Sequence, residues 1–145
     1  MQVKFKKITP TATIPTKANP LDAGFDLVAT SAVVSHDHTF FEYGAGLAIE
    51  IPAGHVGLIY PRSSVSRVQQ VLCNSVAVID AGYTGEIKLR YRMTWRGGWF
   101  EPQIYKVGDK IGQLVIMPIP NVEFVEVEEL SESQRGANGF GSSGQ

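Results

Sequence analysis

Apolar and polar residues alternate with a period of two along much of this chain. The clearest run is Ile87, Leu89, Tyr91 and Met93 interleaved with Lys88, Arg90 and Arg92, the signature of a strand with one face in a core and one in solvent. Leu47, Ile49 and Ile51 alternate in the same way before Pro52, and Val3 and Phe5 alternate with lysines in an opening strand. Val122 and Phe124 begin a further strand whose phase shifts at Val125 and Val127, as a bulge would make it. One stretch breaks the pattern: Ser63 to Leu72 carries apolar residues at three- and four-residue spacing behind serines suited to an N-cap, and predicts a short helix. Fifteen glycines and eight prolines punctuate the strands at short intervals. The pattern predicts an all-β sandwich or barrel.

Composition narrows the class. At 145 residues, with 43% hydrophobic side chains, the chain is long enough for one domain with a real core. Thirteen basic and fourteen acidic residues give a net charge of −1, which disfavours a polynucleotide partner held by counterion release. A compact anion held by a few placed cations is compatible with that balance. The single cysteine, Cys73, has no intrachain partner and fits a reducing cytoplasm; it is expected to be a buried packing residue. The N-terminus lacks the apolar core of a secretory signal, and no run is long enough for a membrane span. His36, His38 and His55 show no metal-ligand spacing.

Five stretches carry possible chemistry, each with a plainer reading beside it. Asp22-Ala23-Gly24-Phe25-Asp26 reads as a turn entering a strand. Pro61-Arg62-Ser63-Ser64 sets a guanidinium and two hydroxyls before the expected helix, which suits phosphate as well as it suits a capped helix with a solvated Arg. Asn74 to Ile87 reads as a β-hairpin whose tip brings together Asp80, Gly82 and Tyr83: turn formers, or a general base and a flat platform. Gly108-Asp109-Lys110 makes a turn, and Gln113 in the strand after it is a satisfied amide or a ligand. The last stretch, Arg135 to Gln145, looks like a glycine-rich phosphate cradle, yet no Gly-Lys-Ser/Thr and no helix follow. A mere spacer has no need of its Arg135 and Phe140.

Taken together and in order, these stretches closely resemble the five motifs of the trimeric dUTPases: Ala23-Gly24-Phe25-Asp26-Leu27, Pro61-Arg62-Ser63-Ser64, Ala77 to Tyr83, Gly108 to Leu114, and Arg135 to Gly144. The resemblance covers essentially the whole chain. It implies a jelly-roll-like β domain over residues 1–130 and a flexible C-terminal arm, 131–145, that closes over a neighbouring subunit's site in a homotrimer. It implies hydrolysis of dUTP to dUMP and pyrophosphate, which limits uracil in DNA and supplies dUMP for thymidylate synthesis. Asp80 is then the general base, Tyr83 packs under the deoxyribose, and Asn74 helps main-chain groups bind the uracil edge. Arg62, Ser63, Ser64 and Gln113 line the phosphates. Asp26 steadies water around Mg²⁺, which itself rides on phosphate oxygens. From the arm, Arg135 reaches the phosphate chain, Phe140 stacks on uracil, and Gly141, Ser142 and Ser143 hold the γ-phosphate.

The chain departs from the family pattern at Ser64, Ala77 and Asn138, each where Gly is usual, and at Ser143, where Thr is usual. The aromatic stretch Thr94 to Gln103 is longer than the family's hairpin and reads as a surface turn or a contact for another protein. Two other functions stay in view. A dCTP deaminase of the same fold would need a catalytic glutamate, for which Glu86 is the available candidate. A dUTPase-like regulatory subunit would use the aromatic stretch as its binding face.

Overall fold

The computed structural model describes residues 1–94, 103–134 and 136–137. Nine strands form two antiparallel sheets. The first runs β1 (Lys4–Lys7), β4 (Phe41–Glu50), β8 (Glu86–Met93) and β6 (Gln70–Leu72), with β3 (Ser31–Val34) also paired to β4. The second runs β2 (Phe25–Val28), β9 (Lys110–Pro118), β5 (His55–Tyr60) and β7 (Ala77–Ile79). The core lies between them, and the period-two runs of the sequence supply it: Leu47, Ile49, Ile87, Leu89 and Tyr91 are buried while Lys88, Arg90 and Arg92 face out. Among the described residues no helix is long and apolar enough to cross a membrane.

β4 serves two partners because it is interrupted. Its register against β8 shifts between Gly44 and Ala48, and Gly46 sits there at φ +65, a conformation that costs a residue with a Cβ. The Gly46 N–H donates to Glu86 Oε1 at 2.9 Å and its carbonyl accepts from Ile8 N at 2.7 Å. The half before the break pairs with β3, the half after it with β1.

Three tyrosines fill one end of the core, with ring centroids 5.2 to 6.0 Å apart in edge-to-face contact. Tyr91 donates to the Ile111 carbonyl at 2.5 Å. The Tyr43 hydroxyl pairs with the buried Gln70 amide, whose oxygen also accepts from Tyr105 N at 3.0 Å. Burial pushes the phenols of Tyr43, Tyr91 and Tyr105 above their ordinary range, so these rings favour folding while neutral and oppose it as pH rises past the ordinary tyrosine range.

Five expectations are corrected. The predicted helix is only a five-residue 3₁₀ turn, Ser63–Arg67, after which the chain becomes β6; burying Gln70 against the tyrosines and pairing Leu72 with Tyr91 outweigh the local helical spacing. No serine side chain caps that turn, where Arg62 holds the cap position. The expected hairpin at Asn74–Ile87 is a crossover: β7 pairs β5 in one sheet and β8 pairs β4 and β6 in the other. The expected strand at Val122–Val127 pairs with no strand among the described residues, and Phe124 is 97% exposed. Cys73 is exposed rather than buried. The aromatic stretch lies largely outside the described residues.

Candidate functional site

Three of the five sequence stretches meet on the face of the second sheet. β2 and β9 place Asp26 opposite Gln113. β5 ends at Tyr60, and Pro61 and Arg62 follow. Gln113 Nε2 donates to the Pro61 carbonyl at 3.1 Å, tying the arginine loop to β9. Gly24 is required by the same side chain: a Cβ there would lie 2.6 Å from Gln113 Oε1 and 2.9 Å from its Cβ. Gly24, Asp26, Arg62 and Gln113, with Asp22, Tyr60 and Ser63, line an open cavity of about 370 Å³. Polar groups dominate it, and its lining suits an anion such as a phosphate chain.

Asp26 is the electrostatic centre of this cavity. Its side chain is only 11% exposed, and each carboxylate oxygen is engaged: Oδ1 by Arg62 Nε at 2.8 Å, Oδ2 by Lys110 Nζ at 2.7 Å. Arg62 is held through Nε, which leaves its two terminal nitrogens for an anion. Lys110 was read from sequence only as part of a turn. Ser64 is not among the cavity's lining residues; its hydroxyl lies toward the Tyr105 phenol, which is buried without completing a hydrogen bond of ordinary geometry.

The third stretch is elsewhere. Asp80 stands exposed at the start of the crossover, whose turn is closed by Tyr83 N donating to the Asp80 carbonyl at 3.0 Å. The Tyr83 hydroxyl donates to the Glu86 carbonyl at 2.8 Å, so its ring is pinned flat over the turn, and Gly85 leaves room for it. Asp80 and Tyr83 border one small cavity, and Tyr83 and Asn74 border a second of about 360 Å³. Glu86 spends its carboxylate on the Gly46 N–H and lies 3.9 Å from Lys88, a structural role in the β4 break. Beside it Glu42 is held below the usual carboxylate range, first by the Lys88 hydrogen bond and then by Arg90.

Register fixes the separation of the two halves. Gly57 pairs with Ile79 in an antiparallel ladder, so Asp80 falls opposite Val56, six residues before Arg62. At about 3.3 Å per residue that is roughly 20 Å. Within one chain Asp80 and Arg62 therefore stand toward opposite ends of the β5–β7 ladder. Arg135, Phe140, Gly141, Ser142 and Ser143 lie outside the described residues.

Among the described residues no group of three His, Cys, Asp or Glu forms a cage for a cation. Two carboxylates line the anion cavity, Asp22 and Asp26, and Asp26 is already shared by two cations. That donor set fits a hydrated cation brought on phosphate oxygens, with Asp26 reaching a water of its shell, and does not fit a metal held by protein alone.

Comparison with known proteins decides the family. A family profile described as dUTPase matches residues 10–144. The chain belongs to the dUTPase family. It is 39% identical to the deoxyuridine 5'-triphosphate nucleotidohydrolase of Nocardia farcinica, over 98% of this chain and 85% of that protein. It is 36% identical to that of Gloeobacter violaceus, over 99% of this chain and 97% of the other. A solved structure of Staphylococcus bacteriophage 80alpha dUTPase with dUpNHpp superposes with a TM-score of 0.83 at 31% identity, covering 99% of both chains. A mutant dUTPase from phage phi11 of S. aureus, with a structural Mg(II) ion, gives 0.76 at 27% identity over 89% of this chain and 98% of that one. The reaction of the chain is hydrolysis of dUTP, as a dUTP diphosphatase. Deaminase chemistry at Glu86 has no place in this assignment.

Proposed function

We propose that three copies of the chain pool their loops into three sites. Each site takes its deoxyuridine half from one copy, its phosphate half from a second and residues 135–145 from a third. The observation that carries this reading is the roughly 20 Å between Asp80 and Arg62 along the β5–β7 ladder. A second supports it: Val122, Phe124, Val125 and Leu130 are exposed within the single chain, apolar surface of the kind that neighbouring copies cover.

In this site Asp80 is the general base. Its carboxylate takes a proton from water as the water oxygen bonds to the α-phosphorus. The bond from the α-phosphorus to the oxygen bridging it to the β-phosphorus breaks, and pyrophosphate leaves with the electron pair. Tyr83, pinned by its own hydroxyl, packs under the deoxyribose and leaves no room for a 2′-hydroxyl. Asn74 and main-chain groups near Ala77 read the uracil edge; a cytosine there leaves polar groups unmatched, a penalty of about 10⁴-fold or more where no partner is found. Arg62, Ser63 and Gln113 hold the phosphates, joined by Arg135, Ser142, Ser143 and the Gly141 backbone, while Phe140 stacks on the base. When bound, Mg²⁺ neutralises the triphosphate oxygens. Ser64 is here a packing neighbour of Tyr105 more than a phosphate ligand. A cytoplasmic setting belongs to the same proposal and rests on the lone cysteine.

The test is a substrate panel of dUTP, UTP, dTTP and dCTP with Mg²⁺, read as pyrophosphate release, beside a mass measurement of the native assembly. Turnover of dUTP alone and a mass of three chains are expected. A monomer that turns dUTP over at full speed would contradict the shared site.

A further inference from the structure

We propose that Lys110 is a positioning residue for the phosphate half of the site: it offsets the charge of Asp26 so that Arg62 can be oriented by that carboxylate without being neutralised by it. This rests on the anion-site reading above.

Strand parity would ordinarily keep Lys110 off this face. In a regular strand Lys110 and Gln113, three residues apart, point to opposite faces. Here Asp26 pairs with Gln113 and Leu27 with Gly112, but Val28 pairs with Lys110. The register slips by one residue, Ile111 is the extra one, and it is fully buried. A slip of this kind re-aims the side chain beyond it, and it brings Lys110 onto the face that carries Asp26 and Gln113. There the ammonium meets Asp26 Oδ2 at 2.7 Å, opposite the guanidinium on Oδ1.

The charge count gives the arrangement its purpose. Asp26 with Arg62 alone is a neutral pair, and its carboxylate would repel an incoming triphosphate of about four negative charges at close range. Adding Lys110 makes the Asp26–Arg62–Lys110 cluster net positive, which offsets Asp22, the other carboxylate lining the cavity. It also divides the carboxylate between two donors, so Arg62 is aligned through Nε while its terminal nitrogens stay available. Lys110 does not line the cavity; it acts through Asp26.

Lys110→Met is the test, with Lys110→Arg as the conservative control. The probe for the anion site is inorganic tripolyphosphate, whose binding is measured by calorimetry. We expect Lys110→Met to weaken tripolyphosphate and raise the KM for dUTP about tenfold, with kcat within about threefold and deoxyuridine affinity unchanged. Lys110→Arg should return both values to within about threefold of wild type. In an Asp26→Asn background, where no carboxylate remains to offset, Lys110→Met should cost less than about threefold. Unchanged tripolyphosphate binding and KM with a lowered Tm would make Lys110 a scaffold residue only and overturn the proposal. An undiminished effect in the Asp26→Asn background would mean direct contact and overturn it too, and that cycle also decides the matter if Lys110→Met alone folds poorly. Failure of the wild-type chain to turn over dUTP would count against the site reading instead, and tripolyphosphate binding separates the two.

Discussion

Asp80→Asn should fold, assemble and bind dUTP while releasing pyrophosphate about 10²- to 10⁴-fold more slowly. The amide matches the carboxylate in shape but cannot take a proton from water. The turn itself is closed by the Asp80 main-chain carbonyl, which receives the Tyr83 N–H at 3.0 Å, so the substitution leaves the local backbone bonds in place. Tyr83 keeps its own anchor on the Glu86 carbonyl, and the sugar platform survives. Single-turnover measurement of pyrophosphate release, with analogue binding measured alongside, checks this. Turnover near wild type would mean that another group deprotonates the water. The effect belongs in kcat, because the proposed site holds the phosphates with Arg62 and Gln113 at the other end of the ladder.

A chain ending at Gln134 should lose about 10²-fold or more in kcat/KM and still assemble as three copies. The cavity built from the described residues offers a triphosphate few cations: Arg62 lines it and Lys110 stands behind Asp26. In the proposed site a further guanidinium and the γ-phosphate contacts come from Arg135, Ser142 and Ser143. Base–aromatic stacking alone is worth about 1–3 kcal/mol, so losing Phe140 accounts for a factor of about ten before any phosphate contact is removed. Among the described residues the buried core side chains run from Ala12 to Leu114. Native mass and pyrophosphate release on the shortened chain decide the matter. Loss of assembly on shortening would place those residues in the subunit interface instead.

Much of the fold could be read from alternation, because a half-buried strand leaves its period in the sequence. Ile87 to Met93 and Leu47 to Ile51 behave as their patterns require. The helix beginning at Ser63 misled because its spacing is local, whereas Gln70 and Leu72 are placed by partners 27 and 19 residues away in Tyr43 and Tyr91. The crossover after Ile79 looked like a hairpin because strand, turn and strand are adjacent in sequence, and nothing local says that the two strands join different sheets. The cavity residues were legible as an ordered series, since Gly24, Arg62 and Gln113 each sit in a distinct motif. Lys110 was not, because its direction depends on a one-residue slip against β2, and a bulge of that kind has no composition of its own. Nor could the sequence state that Asp80 and Arg62 stand apart. That follows from the antiparallel register of β5 and β7, known only once the pairing is.

That separation has a genetic consequence. If each pocket draws its base and its guanidinium from different copies, a lesion at position 80 and a lesion at position 62 are recessive to one another. Two inactive proteins, one Asp80→Asn and one Arg62→Ala, would regain some activity when unfolded and refolded together. Each mixed assembly would contain one junction where both intact ends meet, so a cell carrying the two alleles would escape the defect that either imposes alone.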